Sequence, residues 1–181
     1  GGRVGVGVVD GIPAALLVEV ADVLQARLVG EEELAAEEVG RFLPPKIALL
    51  SHSSFGSHKS RQARKMAEAL RIIRQRAPDL EVDGEMRGDA ALSEELRSRV
   101  FLHSQLKGAA NLLIMPNADA ANISHNLLKE VTNSVSVGPI MLGLAKPAHI
   151  LTRSATARRI INMTAIAAVD AQEHLLHRQP V

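Results

Sequence analysis

Two short apolar runs set the architecture. Ile47-Ala48-Leu49-Leu50 and Asn111 to Met115 each lack the polar alternation that a solvent-facing strand shows. A strand without a polar face is covered on both sides, and strands of that kind belong to parallel sheets. Parallel neighbours need crossover connections, usually helices. The flanking segments agree. Ser51 to Ser60 is polar, and Arg61 to Arg76 carries Met66, Ala69, Leu70 and Ile73 at helical spacing before Pro78 stops it. Leu80 to Gly84 reads as a second strand, and Ser93 as the N-cap of a helix through Val100. Pro116 closes the Asn111 run, and Asp119 is placed to cap a helix to about Val131. Val137 to Leu142 is a further strand candidate, with Gly138-Pro139 expected to split it and turn part of it into loop. A long helix is expected from Thr156 to about His177. The fold class that follows is α/β, a mostly parallel sheet with helices on both faces.

The N-terminal part is less informative. Ile12 to Leu28 is apolar and helix-compatible, and Glu31-Glu32-Glu33 opens a helix through Phe42 that Pro44-Pro45 ends. Gly5-Val6-Gly7-Val8-Val9-Asp10-Gly11 narrowly misses a dinucleotide fingerprint, because its third glycine is one place late, and it reads as an ordinary turn.

Composition narrows the function. At 181 residues with 46% hydrophobic and 23% charged, the chain has the make-up of one globular domain. The absence of cysteine excludes disulfides, thiolate zinc sites and cysteine nucleophiles. Phe42, Phe55 and Phe101 make no stacking platform, and a net charge of +1 gives no field for a polyanion, so no nucleic-acid partner is expected. No apolar run nears the about 18 residues of a membrane span, and no signal peptide is visible. A cytoplasmic protein with no membrane partner is the expectation.

Three strand-end loops could hold a ligand. In Ser51-His52-Ser53-Ser54-Phe55-Gly56-Ser57-His58-Lys59-Ser60, the hydroxyls, backbone N–H groups and Lys59 could hold phosphate oxygens, or the segment is a solvated loop with Ser60 as N-cap. Asn117 and Asn122 either offer amides to a ligand or belong to a turn capped by Asp119. Thr152-Arg153-Ser154 leads into a helix whose first turn holds Arg158 and Arg159 against the dipole. That placement makes sense if they meet an anionic ligand or a partner carboxylate. The basic helix Arg61 to Arg76 reads as a solvated face beside the acidic helix of the same chain. His52, His58, His103, His125 and His149 lie in separate segments. His174 and His177 share a helical face, with Asp170 only roughly aligned, and read as helix-end histidines; no metal site is assigned.

Taken together, several segments resemble the phosphate acetyl/butyryltransferase family. They are Lys46 to Ser51, Val82-Asp83-Gly84-Glu85 with Asp89-Ala90-Ala91, Asn111 to Pro116 with Ala121-Asn122-Ile123, Val137 to Ile140, and Leu151 to Asn162. Ala48 to Gly56, Ala77 to Leu92 and Ile161 to Ala165 look particularly like the C-terminal transferase-like domain of bacterial NADP-dependent malic enzymes. Residues 1–36 match poorly and are expected to pack on a domain formed by 37–181. The resemblance implies a three-layer αβα fold like that of isocitrate and isopropylmalate dehydrogenases. It also implies a dimer and an acyl-CoA site at Ser51, Ser53, Ser54, Ser57, Lys59, Asn117, Asn122, Gly138, Pro139, Thr152 and Arg153.

Active members carry a serine at the place of Thr152 and an aspartate, the implied base for the CoA thiol, at the place of Arg159. The catalytic positions Thr152, Arg153 and Arg159 are therefore read as degenerate. The expectation is an acetyl-CoA-sensing and oligomerisation domain of a malic enzyme without transferase turnover. NADP and a divalent metal would then act only in a preceding malic-enzyme domain. An active phosphate acetyltransferase and a purely structural dimerisation domain are the alternatives.

Overall fold

The computed structural model describes residues 4–7, 16–19, 44–132, 136–140 and 146–176. The strands are β1 (Val4–Gly7), β2 (Leu16–Glu19), β3 (Lys46–Leu50), β4 (Glu81–Met86), β5 (Leu112–Met115) and β6 (Ser136–Ile140). The helices are α1 (Arg61–Arg76), α2 (Gly88–Leu92), α3 (Glu94–Val100), α4 (Ala118–Thr132) and α5 (Ala157–Leu176). The strands form one sheet in the order β4-β3-β5-β2-β1-β6. β4, β3, β5 and β2 are parallel neighbours, and β1 alone runs antiparallel to β2 and β6. The mostly parallel α/β sheet read from the sequence is the observed one.

The two apolar runs fill both faces of this sheet. Ala48, Leu50, Leu113 and Met115 cluster with Ala90 and Ala91 of α2 and Ala121 of α4. Their neighbours Ile47, Leu49, Leu112 and Ile114, also buried, alternate to the opposite face. There α1 packs on β3 and β4, burying Ala63, Met66, Ala69, Leu70 and Ile73. Each large aliphatic side chain so covered contributes roughly 1.5–3 kcal/mol. Asn111 pins the start of β5 to β3. Its Oδ1 accepts from the Lys46 N–H at 2.7 Å, and its Nδ2 donates to the Pro44 carbonyl at 2.9 Å.

Helix starts follow side-chain chemistry. Ser60 caps α1 by accepting the Ala63 N–H at 3.0 Å, and Ser93 caps α3 by accepting the Leu96 N–H at 3.2 Å. At α4 the cap is Asn117, which accepts the Ala120 N–H at 2.9 Å, and not Asp119. Asp119 lies in the first turn, two positions past the cap.

Other expectations are corrected. Leu16–Glu19 is a strand between β5 and β1, not part of a helix from Ile12 to Leu28, because ladder partners on both sides satisfy its backbone. Val4–Gly7 is a strand rather than a turn. Residues 8–15, 20–28 and the acidic segment 31–42 lie outside the described residues, as do His177 and the side chain of His174. The strand expected at Leu80–Gly84 runs from Glu81 to Met86, and the short helix α2 follows it.

Gly138-Pro139 does not split β6. The register with β1 shifts between Val4↔Ile140 and Val6↔Val137, so Gly138 and Pro139 together oppose Gly5. Pro lacks an N–H for the ladder, and a bulge in an edge strand is where that lack is tolerated. Gly138 takes a φ of 131°, open to glycine.

Among the described residues, the basic α1 meets carboxylates on its own surface and on β4. Arg71 forks onto Glu68 at 3.0 and 2.6 Å, and this hydrogen bonding lowers the Glu68 pKa and raises that of Arg71. Arg74 pairs at 2.9 Å with the buried Asp83 of β4. The other oxygen of Asp83 accepts from the Ser104 hydroxyl at 2.7 Å and the Gln105 N–H at 2.9 Å.

Candidate functional site

From β3 the chain goes to β4 on one side, then crosses to β5 on the other side of β3. The order therefore reverses at β3, and ligands of such sheets sit in the crevice beyond the carboxyl ends at that switch point. The Ser51–Ser60 loop leaves β3 there, and Pro116-Asn117 leaves β5 beside it. Lys65 of α1 donates to the Pro116 carbonyl at 3.0 Å and ties the two walls together.

The loop is ordered from within. Ser51, Ser53 and Ser54 are buried, while Ser57 and Lys59 are exposed. The Ser53 hydroxyl donates to Glu85 Oε1 at 2.8 Å and accepts the His58 N–H at 3.0 Å. The Gly56 N–H reaches the same carboxyl oxygen at 2.7 Å. Ser51 Oγ accepts the Ser53 N–H at 3.2 Å, Ser57 Oγ accepts the Ser54 N–H at 3.0 Å, and Ser54 Oγ accepts the Arg87 N–H at 3.2 Å. Several donors that the sequence assigned to a ligand are thus engaged by Glu85 and by neighbouring serines.

The second group surrounds the start of α5. Arg159 donates from Nε to the Gly138 carbonyl at 3.0 Å, and its Nη2 contacts the same oxygen. The β6 bulge presents that carbonyl to the first-turn cation. Thr156 caps the helix by accepting the Arg159 N–H at 3.3 Å. Thr152 and Arg153 are exposed just before it, with Thr152 Oγ1 3.2 Å from Ser154 Oγ. Asn122 is exposed on α4, where its carbonyl and its Oδ1 both accept from Asn126 Nδ2, at 2.9 and 2.8 Å. No hydrogen bond among the described residues joins the Ser51–Ser57 network to Thr152, Arg153 or Arg159.

One pair escaped the sequence reading. His149 Nε2 lies 3.0 Å from Asp170 Oδ2, and both side chains are largely buried. It fastens the segment before Thr152 to α5. The residues are 21 positions apart, in a loop and a helix, and no local pattern announces them.

A family model described as phosphate acetyl/butaryl transferase matches residues 29–168. The chain belongs to that family. Among relatives of this transferase-family chain, an NADP-dependent malic enzyme of Salmonella typhimurium is 56% identical over 141 residues, 77% of this chain and 19% of that protein. A phosphate acetyltransferase of Paracoccus denitrificans is 41% identical over 140 residues, 76% of this chain and 44% of that protein. A solved phosphotransacetylase from Streptococcus pyogenes superposes with a TM-score of 0.82 at 28% identity, over 94% of this chain and 54% of that one. The chain thus spans about a fifth of the malic enzymes it matches and about half of the transferases. In this transferase-family domain the Ser51–Ser57 network and the Arg159–Gly138 contact are the defined parts of the crevice and of the α5 start.

Proposed function

We propose that this domain binds acetyl-CoA, or a related acyl-CoA, as a regulatory and oligomerisation module of an NADP-dependent malic enzyme, without transferase turnover. In this reading NADP and the divalent metal act in the malic-enzyme part of the parent protein. The exposed donors Lys59, Asn122, Thr152 and Arg153 are available to CoA phosphates and amides, whereas Ser53 and Gly56 are engaged by Glu85.

The observation that carries the loss of turnover is the state of Arg159. Transfer from acetyl phosphate needs a CoA thiolate, and a free thiol of pKa about 8.5 is mostly protonated at neutral pH. A positioned general base contributes about 10²–10⁴-fold. At the family's base position this chain has a guanidinium bound to the Gly138 carbonyl, a group with no acceptor. The alternative carboxylates are engaged. Glu85 is buried in the serine turn, while Asp89 pairs with Arg87 at 3.0 Å and accepts the Ala90 N–H at 2.8 Å.

Two outcomes are expected. Acetyl-CoA at a hundred times its Kd stabilises the fold by about 2.7 kcal/mol, seen as a thermal shift and as heat in calorimetry. Acetyl phosphate plus CoA, followed by thioester absorbance, gives turnover well below about 1 s⁻¹, with Arg159→Asp as the companion variant. Ordinary enzymatic turnover in the unmutated chain would establish the second reading, an active phosphate acetyltransferase, which the Paracoccus relative favours.

Self-association is proposed as well. α4 exposes Ile123, Leu127 and Val131 at four-residue spacing, and α5 exposes Ile160, Ile161 and Val169. Apolar faces of this kind are commonly covered by a partner, and two-fold dimers are the commonest closed assembly. Light scattering at micromolar concentration should report a dimer or larger, and a monomer would count against it. Self-association without acetyl-CoA binding would leave the purely structural dimerisation domain.

A further inference from the structure

Glu85 is 3% exposed, and among the described residues no cation pairs with it. Its carboxyl group is held by a turn. The Ser53 hydroxyl and the Gly56 N–H converge on Oε1 at 2.8 and 2.7 Å, and the His58 N–H supports Ser53 from behind at 3.0 Å. The Phe55 N–H donates to the main-chain carbonyl of Glu85 at 2.7 Å, so one turn grips both ends of the residue. Phe55 and Gly56 take φ values of 49° and 83°. For a phenylalanine that conformation is costly and persists only where the surroundings impose it. It points neighbouring donors inward, as in the backbone turns that bind anions elsewhere. To such donors a carboxylate oxygen and a phosphate oxygen are equivalent acceptors. The turn also stands at the reversal point of the sheet, where ligands of this architecture enter.

We propose that the Ser53–Gly56 turn is an oxyanion cradle that the chain fills with its own Glu85, and that Glu85 thereby keeps phosphate and other small oxyanions out of that part of the crevice. Glu85 is then a specificity residue: it closes the loop to a small anion while Lys59, Asn122, Thr152 and Arg153 stay exposed. The proposal does not depend on acyl-CoA binding, because the two are read with different ligands. Titrating the wild type with acetyl-CoA tests the proposed function, whereas formate and inorganic phosphate test the cradle.

The experiment compares wild type, Glu85→Ala and Glu85→Gln in the 181-residue chain, melted in chloride, formate or phosphate at equal ionic strength. Formate and phosphate should stabilise Glu85→Ala saturably, by roughly 4 °C at ten times the Kd. Wild type should respond to formate as to chloride, and to phosphate less than Glu85→Ala does. Glu85→Gln, which keeps a carbonyl oxygen in the turn, should do the same. If Glu85→Ala fails to fold in chloride, recovery of its far-ultraviolet dichroism in formate or phosphate supports the cradle. Identical behaviour of Glu85→Ala in all three salts, folded or unfolded, overturns it. Phosphate binding by wild type as tight as by Glu85→Ala overturns the exclusion.

Discussion

Replacing Arg97 by methionine is expected to cost about 3–5 kcal/mol of folding stability, a fall of about 10 °C in melting temperature. Arg97 is the largest fully buried side chain among the described residues. Among the described residues its partners are backbone carbonyls: Ala90 at 2.7 Å, Ala91 at 3.4 Å, Leu106 at 2.9 Å and Gly108 at 2.5 Å. A guanidinium stays charged at every working pH, so its burial is tolerated only because these dipoles surround it. The Ala90 and Ala91 carbonyls belong to the last turn of α2, where no later helical N–H remains to receive them. Leu106 and Gly108 lie on the connection into β5. The fork therefore fastens α2 to the segment that feeds the central sheet. Methionine keeps much of the stem's packing and removes the donors, taking them from the Ala90, Leu106 and Gly108 carbonyls at about 1–3 kcal/mol for each left unpaired, while the Ala91 carbonyl still accepts the Ala110 N–H at 2.9 Å. Lysine, a single-point donor, should restore less than half of the loss. Urea unfolding gives the values, and a loss under about 1 kcal/mol in Arg97→Met would contradict the assignment.

Gly84→Ala should be similarly severe, at about 3–5 kcal/mol. A Cβ at Gly84 would stand 2.6 Å from the Leu49 carbonyl oxygen and 2.9 Å from Leu49 Cβ, both in the neighbouring strand. The φ of 147° adds strain for any L side chain. Relief would require β4 to move away from β3, where both strands are fully packed. The loss should also reach the serine turn, since Glu85 follows Gly84 directly and its side chain holds Ser53 and Gly56. Amide exchange at Gly56 and Phe55 should therefore accelerate along with the global loss. A variant that melts within about 2 °C of wild type would refute the close approach.

Much of the sheet could be read locally. β3, β5 and α1 announce themselves through runs of apolar residues or a repeat near 3.6, and Ser60 and Ser93 act as the caps their chemistry suggests. The errors share one origin. Leu16–Glu19 is a strand because β1 and β5 flank it, and both partners are distant in sequence. Gly138-Pro139 stays within β6 because a bulge against Gly5 absorbs the proline. Arg97 sits in the segment Glu94–Val100, whose charged residues resemble a solvated helix, and nothing nearby shows that the Leu106–Gly108 connection will cover it.

The same division runs through the candidate site. The sequence by itself determined the donor-rich loops at strand ends and the cation Arg159 in the first turn of the last helix, because residue type and order suffice for those. Tertiary structure decided what those groups touch. It placed Glu85 inside the serine turn 29 positions from Gly56, set Arg159 on the Gly138 carbonyl 21 positions away, and buried His149 against Asp170. A hydrogen bond acts over about 3 Å, so its partner is chosen by how strands and helices pack and not by distance along the chain.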